Sequence, residues 1–181
     1  MDNMVGIGVV GTGRIFEDHV RAFQAVSGRV RVIGLADIDA TNRRRASHAI
    51  FAPVTVSDYT ELLKRDDIDL IDICTPPHLH ERIVIDALNA KKYVTCEKPL
   101  AQTLASVDRI VQAAKGHPGK LSTVFQLRYH NDAKQVIWLR DHDKLGRILF
   151  ADVRRYGSLR GSSQSSKNWW GAWQFAGGGA L

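Results

Sequence analysis

Two cysteines in 181 residues leave this chain without a disulfide framework, and Cys74 and Cys96 do not stand in a pair with metal-ligand spacing. They read instead as reduced packing residues at the ends of neighbouring strands. Long hydrophobic runs are also missing: the apolar stretch 4–10 is far shorter than the roughly 20 residues a spanning helix needs, and it has no basic flank or cleavage-like site. The expectation is therefore a cytoplasmic protein with no membrane contact. Acidic residues are in the minority, 19 against 25 Lys and Arg, for a net charge of +6. The basic residues are nevertheless interleaved with acids along the whole sequence, so no stripe forms that would track a nucleic-acid backbone. Internal repeats are lacking too, and the length suits one sizeable domain with part of another.

What the chain does have is alternation. Residues 5–10 form a β-branched run that leads into Gly11-Thr12-Gly13, and over 14–26 Ile15, His19, Ala22, Phe23 and Val26 recur at helical spacing. The pattern repeats as a strand at 30–36, a helix at 41–50, a strand at 54–56 and a short helix to residue 64 that Ser57 or Asp58 can cap. A strand at 70–74, a helix at 78–90, a strand at 93–96 and a helix at 103–115 complete it. Short strands separated by helices of this length predict an α/β fold, a doubly wound parallel Rossmann sheet with right-handed crossovers. The turn Gly116-His117-Pro118-Gly119 sets the expected end of a dinucleotide-binding domain at 1–120. Residues 121–181 are expected to begin an α+β, mainly antiparallel second domain, with strands at 121–127 and 147–156 around a helix at 132–140. Trp169, Trp170 and Trp173 then pack beneath that second sheet or line a sugar-binding face.

The chemistry-bearing residues fall at strand ends. Gly11-x-Gly13 after the first strand lets the backbone turn tightly and approach a pyrophosphate, whose charge then sits on the N-terminus of the following helix. Phe16 stands where the third glycine of the full fingerprint would be, which predicts a helix set slightly further from the sheet. Asp37, at the end of the second strand, is placed to accept hydrogen bonds from an adenosine ribose and so favours NAD. Arg43, Arg44 and Arg45 keep NADP open, since an arginine there can pair with a 2′-phosphate; the plainer reading leaves all three solvated. Thr75-Pro76-Pro77-His78-Leu79-His80 follows the fourth strand, and Glu97-Lys98-Pro99 follows the fifth. The latter brings a lysine to the edge where an open parallel sheet binds its ligand.

The ordered set Gly11-Thr12-Gly13-Arg14-Ile15, Ala36-Asp37, Thr75-Pro76-Pro77-His78-x-His80, Glu97-Lys98-Pro99-Leu100, Gln126-x-Arg128-Tyr129 and Gly177-Gly178-Gly179-Ala180-Leu181 resembles the glucose-fructose oxidoreductase/inositol dehydrogenase/rhizopine catabolism (Gfo/Idh/MocA) family. The resemblance implies an NAD(P)-dependent oxidoreductase that moves hydride between the nicotinamide and a secondary alcohol of a sugar, cyclitol or nucleotide sugar. It implies that Gly11, Thr12, Gly13, Arg14 and Ile15 hold the pyrophosphate and Asp37 the ribose. Thr75, Pro76 and His80 would meet the cofactor's further edge, with Glu97, Lys98 and Arg128 also on the cofactor side. Lys98 would approach the substrate hydroxyl, aimed inward by a cis bond before Pro99. Homo-oligomers built through the second-domain sheet belong to the same expectation, and no metal does. Relatives continue past the triple glycine with an aspartate and a histidine general base that this sequence does not contain. The expectation is a truncated chain that binds cofactor but turns over poorly, with residues after about 156 poorly ordered or ordered by self-association. A non-catalytic dinucleotide-binding or sensing module is the alternative, and an adenosyl-cofactor methyltransferase would leave Glu97-Lys98-Pro99 without a role.

Overall fold

Alternating β-branched and helix-forming segments settle into a single parallel sheet with helices on both faces. The computed structural model describes residues 4–154. In chain order the elements are β1 (Val5–Val10), α1 (Phe16–Ala25), β2 (Val30–Ala36), α2 (Ala40–Ala49), β3 (Val54–Val56), α3 (Thr60–Leu63), β4 (Leu70–Ile73), α4 (His80–Asn89), β5 (Tyr93–Cys96), α5 (Leu104–Lys115), β6 (Leu121–Thr123) and α6 (Asn131–Asp141). Two 3₁₀ turns, Pro77–Leu79 and Gln126–Tyr129, precede α4 and α6. The strand order is β3-β2-β1-β4-β5-β6, and each pairing is parallel. The sheet therefore runs outward in both directions from β1 and β4. Between those two strands the order reverses, and a crevice opens at their C-terminal ends.

Helix starts follow from local chemistry. Asp39 caps α2 by accepting from the amides of Thr41 and Asn42, and Thr103 caps α5 through the amide of Ser106. No side chain caps α1, whose first turn is approached through tighter bonds from Phe16 to Gly13 and from Glu17 to Arg14. The apolar faces of α1 and α2 bury Phe16, Val20 and Ala46 against Ile7, Val9, Val32 and Leu35. On the opposite face Leu62, Ile83, Val84, Leu88 and Ile110 close over Ile33, Ile71, Ile73 and Val94. Phe16 thus occupies the third glycine position as a core side chain, fully buried. Neither packing layer leaves room for another function at those positions.

Three expectations about the later residues change. The strand expected at 121–127 stops at Thr123, where the chain turns into the Gln126–Tyr129 3₁₀ segment. What there is of it pairs with β5, so the parallel sheet extends past the boundary expected at 120. The strand expected at 147–156 has no regular structure over 147–154, and Ile148, Leu149, Phe150 and Val153 are exposed. Apolar alternation needs a neighbouring strand to satisfy the backbone, and no described strand lies beside this one. No antiparallel pairing occurs among the described residues. The tryptophan cluster, the glycine run and the order expected after 156 lie outside the described residues.

Candidate active site at the crevice

At the first turn the backbone dictates the residue. Gly11 has φ +90°, and a Cβ there would lie 2.8 Å from backbone atoms of Cys74 and Thr75. Only glycine lets β1 pass so close to the end of β4. Gly13 is different: a Cβ there would meet nothing within 4 Å. The side of the turn where that Cβ would stand is open, next to the uncapped start of α1. Open space above a glycine and an uncapped helix start together suit an anionic group.

Asp37 fixes that turn from the side. Its Oδ2 accepts from the Thr12 amide at 2.7 Å and from the Thr12 hydroxyl at 3.0 Å, while Oδ1 accepts from the Asp39 amide at 2.9 Å. An ionised carboxylate has about four acceptor positions, so Oδ1 retains capacity for an incoming hydroxyl. The three arginines separate in role. Arg43 donates to the Asp37 carbonyl, Arg45 donates to the Thr12 carbonyl at 2.9 Å, and Arg44 lies on the exposed surface near Thr41. Two of the three thus brace the turn, Arg43 from a half-buried position and Arg45 from an exposed one.

After β4, Thr75 keeps a buried hydroxyl oxygen with no hydrogen-bond partner. An orphaned buried polar atom at the crevice is a place for a ligand group. His80, expected at the cofactor's edge, instead has a fully buried ring. Its Nε2 faces the Thr75 carbonyl at 2.7 Å and its Nδ1 faces the Pro99 carbonyl at 2.9 Å. Burial pushes the pKa of His80 down although both carbonyls favour the charge, so the neutral ring donates to one carbonyl at a time. The residue ties the loop after β4 to the loop after β5.

The Lys98-Pro99 bond is cis. Lys98 is exposed and borders an open cleft of about 670 Å³, whose other walls are Phe125, Gln126, Leu127 and Arg128 from the turn after β6. The structure therefore brings Lys98 and Arg128 to one cavity. Glu97 points the other way, buried, and its Oε2 accepts from the Lys98 amide at 3.2 Å.

Beneath Glu97 lies a group that pattern reading passes over. Residue alternation along β4 sends Asp72 to the α1 face, where His19 meets it at 2.7 Å through Nδ1 and meets Glu97 at 3.2 Å through Nε2. Their side chains are only 12%, 3% and 7% exposed, for His19, Asp72 and Glu97 respectively. Thr95 donates its hydroxyl to the other oxygen of Asp72 at 2.5 Å. Burial opposes a charge on His19, yet the hydrogen bonds and charges of the two carboxylates outweigh it and push its pKa up to about 10. An acid in the middle of the apolar run Leu70-Ile71-Asp72-Ile73 was the available signal, because a buried carboxylate requires a partner. His19 was instead counted among the residues of an apolar helix face.

His19, Asp72 and Cys74 hold their ligand-type atoms within 4.8 Å of one another. A separation of 2.7 Å between Nδ1 and Oδ2 is that of a shared proton, whereas two ligands of a tetrahedral zinc lie about 3.3 Å apart. Burial pushes the thiols of Cys74 and Cys96 up, so both stay neutral. Both are free and buried, as packing residues are. No helix among the described residues is long and apolar enough to cross a membrane.

Comparison with known proteins places this geometry in context. The signature of the Gfo/Idh/MocA family, described as an oxidoreductase family with an NAD-binding Rossmann fold, matches residues 5–125. The inositol 2-dehydrogenase of Salmonella typhimurium is 32% identical over 154 residues, covering 83% of this chain and 46% of that protein. Among solved structures, the WlbA dehydrogenase of Bordetella pertussis, in complex with NADH and UDP-GlcNAcA, superposes with a TM-score of 0.74 at 26% identity, covering 80% of this chain and 44% of that one. A levoglucosan dehydrogenase in complex with NADH gives 0.75 at 26% identity, covering 80% of this chain and 41% of that one. The chain thus spans less than half the length of these relatives.

Proposed function

This chain belongs to the Gfo/Idh/MocA oxidoreductase family, and on that premise we propose that it binds NAD in the crevice between β1 and β4 and presents Lys98 to a secondary alcohol of a sugar, cyclitol or nucleotide sugar. The observation that carries this reading is the convergence of three loops at one sheet edge. The Gly11-Thr12-Gly13 turn is braced by Asp37, and the loops after β4 and β5 are joined through His80. The dehydrogenase relatives described above, two of them solved with NADH, supply the chemistry by analogy.

The residues present fit the cofactor. Gly13, Arg14 and Ile15 would offer the diphosphate their backbone ahead of α1, Gly11 makes the turn that brings them there, and Thr12, donating its amide and hydroxyl to Asp37, ties that turn to the end of β2. Asp37 would take the ribose hydroxyls on Oδ1, and its charge disfavours a 2′-phosphate there. Thr75, with its unpartnered hydroxyl, and Pro76 line the further edge. Bound in this crevice, the nicotinamide ring supplies the hydride acceptor or donor. Lys98 would then hold the substrate oxygen by a charge-assisted hydrogen bond, lowering the cost of its proton leaving. Arg128, across the cleft, would contribute positive charge to the same wall.

Titration of the protein with NADH, NADPH and S-adenosylmethionine, followed by fluorescence, tests the assignment. Saturable NADH binding that is stronger than that of NADPH supports it. Binding of S-adenosylmethionine alone overturns it.

A further inference from the structure

The charged group beneath Glu97 is buried below the crevice, yet it links two of the crevice's elements. His19 lies on α1, the helix whose start receives the diphosphate in the reading above, and Glu97 immediately precedes Lys98. Both ring nitrogens of His19 face carboxylate oxygens, which accept and cannot donate when ionised. With both carboxylates ionised, only a ring protonated at both nitrogens satisfies the two contacts. We propose that His19 is a positioning residue for Lys98: its imidazolium, held between Asp72 and Glu97, fixes the carboxylate on which the Lys98 amide rests and couples the diphosphate helix to the lysine loop.

The arrangement is directional. Asp72 is anchored independently by the Thr95 hydroxyl and lies within the sheet, so it serves as the fixed post. Among the described residues Glu97 has two partners, His19 on Oε1 and the Lys98 amide on Oε2. Removing the first leaves a buried carboxylate with one donor, and it must turn to find water, taking the Lys98 amide with it. The titratable groups packed around the ring are Asp72 of β4, Cys74 just after it and Glu97 after β5, with the Phe23 ring edge-on from α1. The thiol stays neutral and adds only a weak hydrogen bond to Asp72, Sγ to Oδ2 at 3.5 Å, beside the closer contact from His19. The upward push on the His19 pKa agrees with this geometry.

The role rests on the reading of Lys98 as the substrate-facing lysine, but its test needs no cofactor. Nitrogen-15 spectra of the His19 ring in the native chain, recorded from about pH 6 to about pH 9, are expected to show both nitrogens protonated throughout. A ring that loses a proton near the ordinary histidine value overturns the proposal. In His19→Gln, the Lys98 amide resonance is expected to shift and broaden while the Gly11 and Asp37 amides stay in place. An unchanged Lys98 amide overturns it. Should that variant fail to fold, Glu97→Gln reads the same contact: the His19 ring is expected to titrate at lower pH than in the native chain, and an unaltered titration overturns the coupling. Lack of NADH binding by the native chain would remove the oxidoreductase reading and leave these ring and amide results standing.

Discussion

Two glycines of one turn make opposite demands, and substitutions separate them. Gly11→Ala places a Cβ against the Cys74 backbone at a positive φ, so thermal unfolding should show a loss of at least about 2 kcal/mol. A Cβ at Gly13 meets no neighbour, so in Gly13→Ala the melting temperature should hold while NADH binding, followed by fluorescence, weakens. Asp37 acts both on the turn and on the ligand. Replacing it with Ser keeps a short polar acceptor near Thr12 but removes the charge that repels a 2′-phosphate, and the NADPH to NADH affinity ratio should rise by about tenfold. Much of this was legible in the residues themselves: the glycine turn, the acid closing β2 and the lysine after β5 all stand where the order of elements puts them. His19 and Asp72 were not. A histidine at helical spacing among apolar residues reads as packing, and its partner lies far away in sequence, so only the assembled sheet reveals the pair.

At the level of elements, α2 does more than cover the sheet. Its cap at Asp39 sets the register from which Arg43 and Arg45 reach the Asp37 and Thr12 carbonyls. Asp39→Ala should lower the denaturant midpoint of unfolding and weaken NADH binding as well. On the opposite layer, Arg109 of α5 bridges to Glu81 of α4 and holds that exposed carboxyl down at about 2. Arg109→Ala should lower the denaturant midpoint only slightly and leave NADH binding unchanged, which makes it a control for helix stability without a role in the crevice. Strand and helix order was readable from alternation, with β3 and β5 placed at the residues expected. The misplaced element, 147–154, shows the limit of that reading. Period-two patterning names a face for a strand but supplies no neighbour to pair with.

For the molecule as a whole, the buried charges make stability depend on pH in a definite sense. The pKa of His19 is raised in the folded state to about 10 from an ordinary value near 6.5. Its stabilising contribution is therefore complete below about pH 6.5 and is lost as pH rises through about 10. Denaturant unfolding of the native chain should lose stability across that window, and His19→Gln should start lower by about 3–5 kcal/mol and show a flatter profile. The central claim is that the loops after β1, β2, β4 and β5 form one dinucleotide site at the C-terminal edge of the sheet. Amide chemical-shift mapping on addition of NADH tests it most directly. The account predicts that Gly11, Gly13, Arg14, Ile15, Asp37, Thr75 and Lys98 shift together with a single saturation curve. Shifts confined to other surfaces, or an unchanged spectrum at saturating NADH, would contradict it.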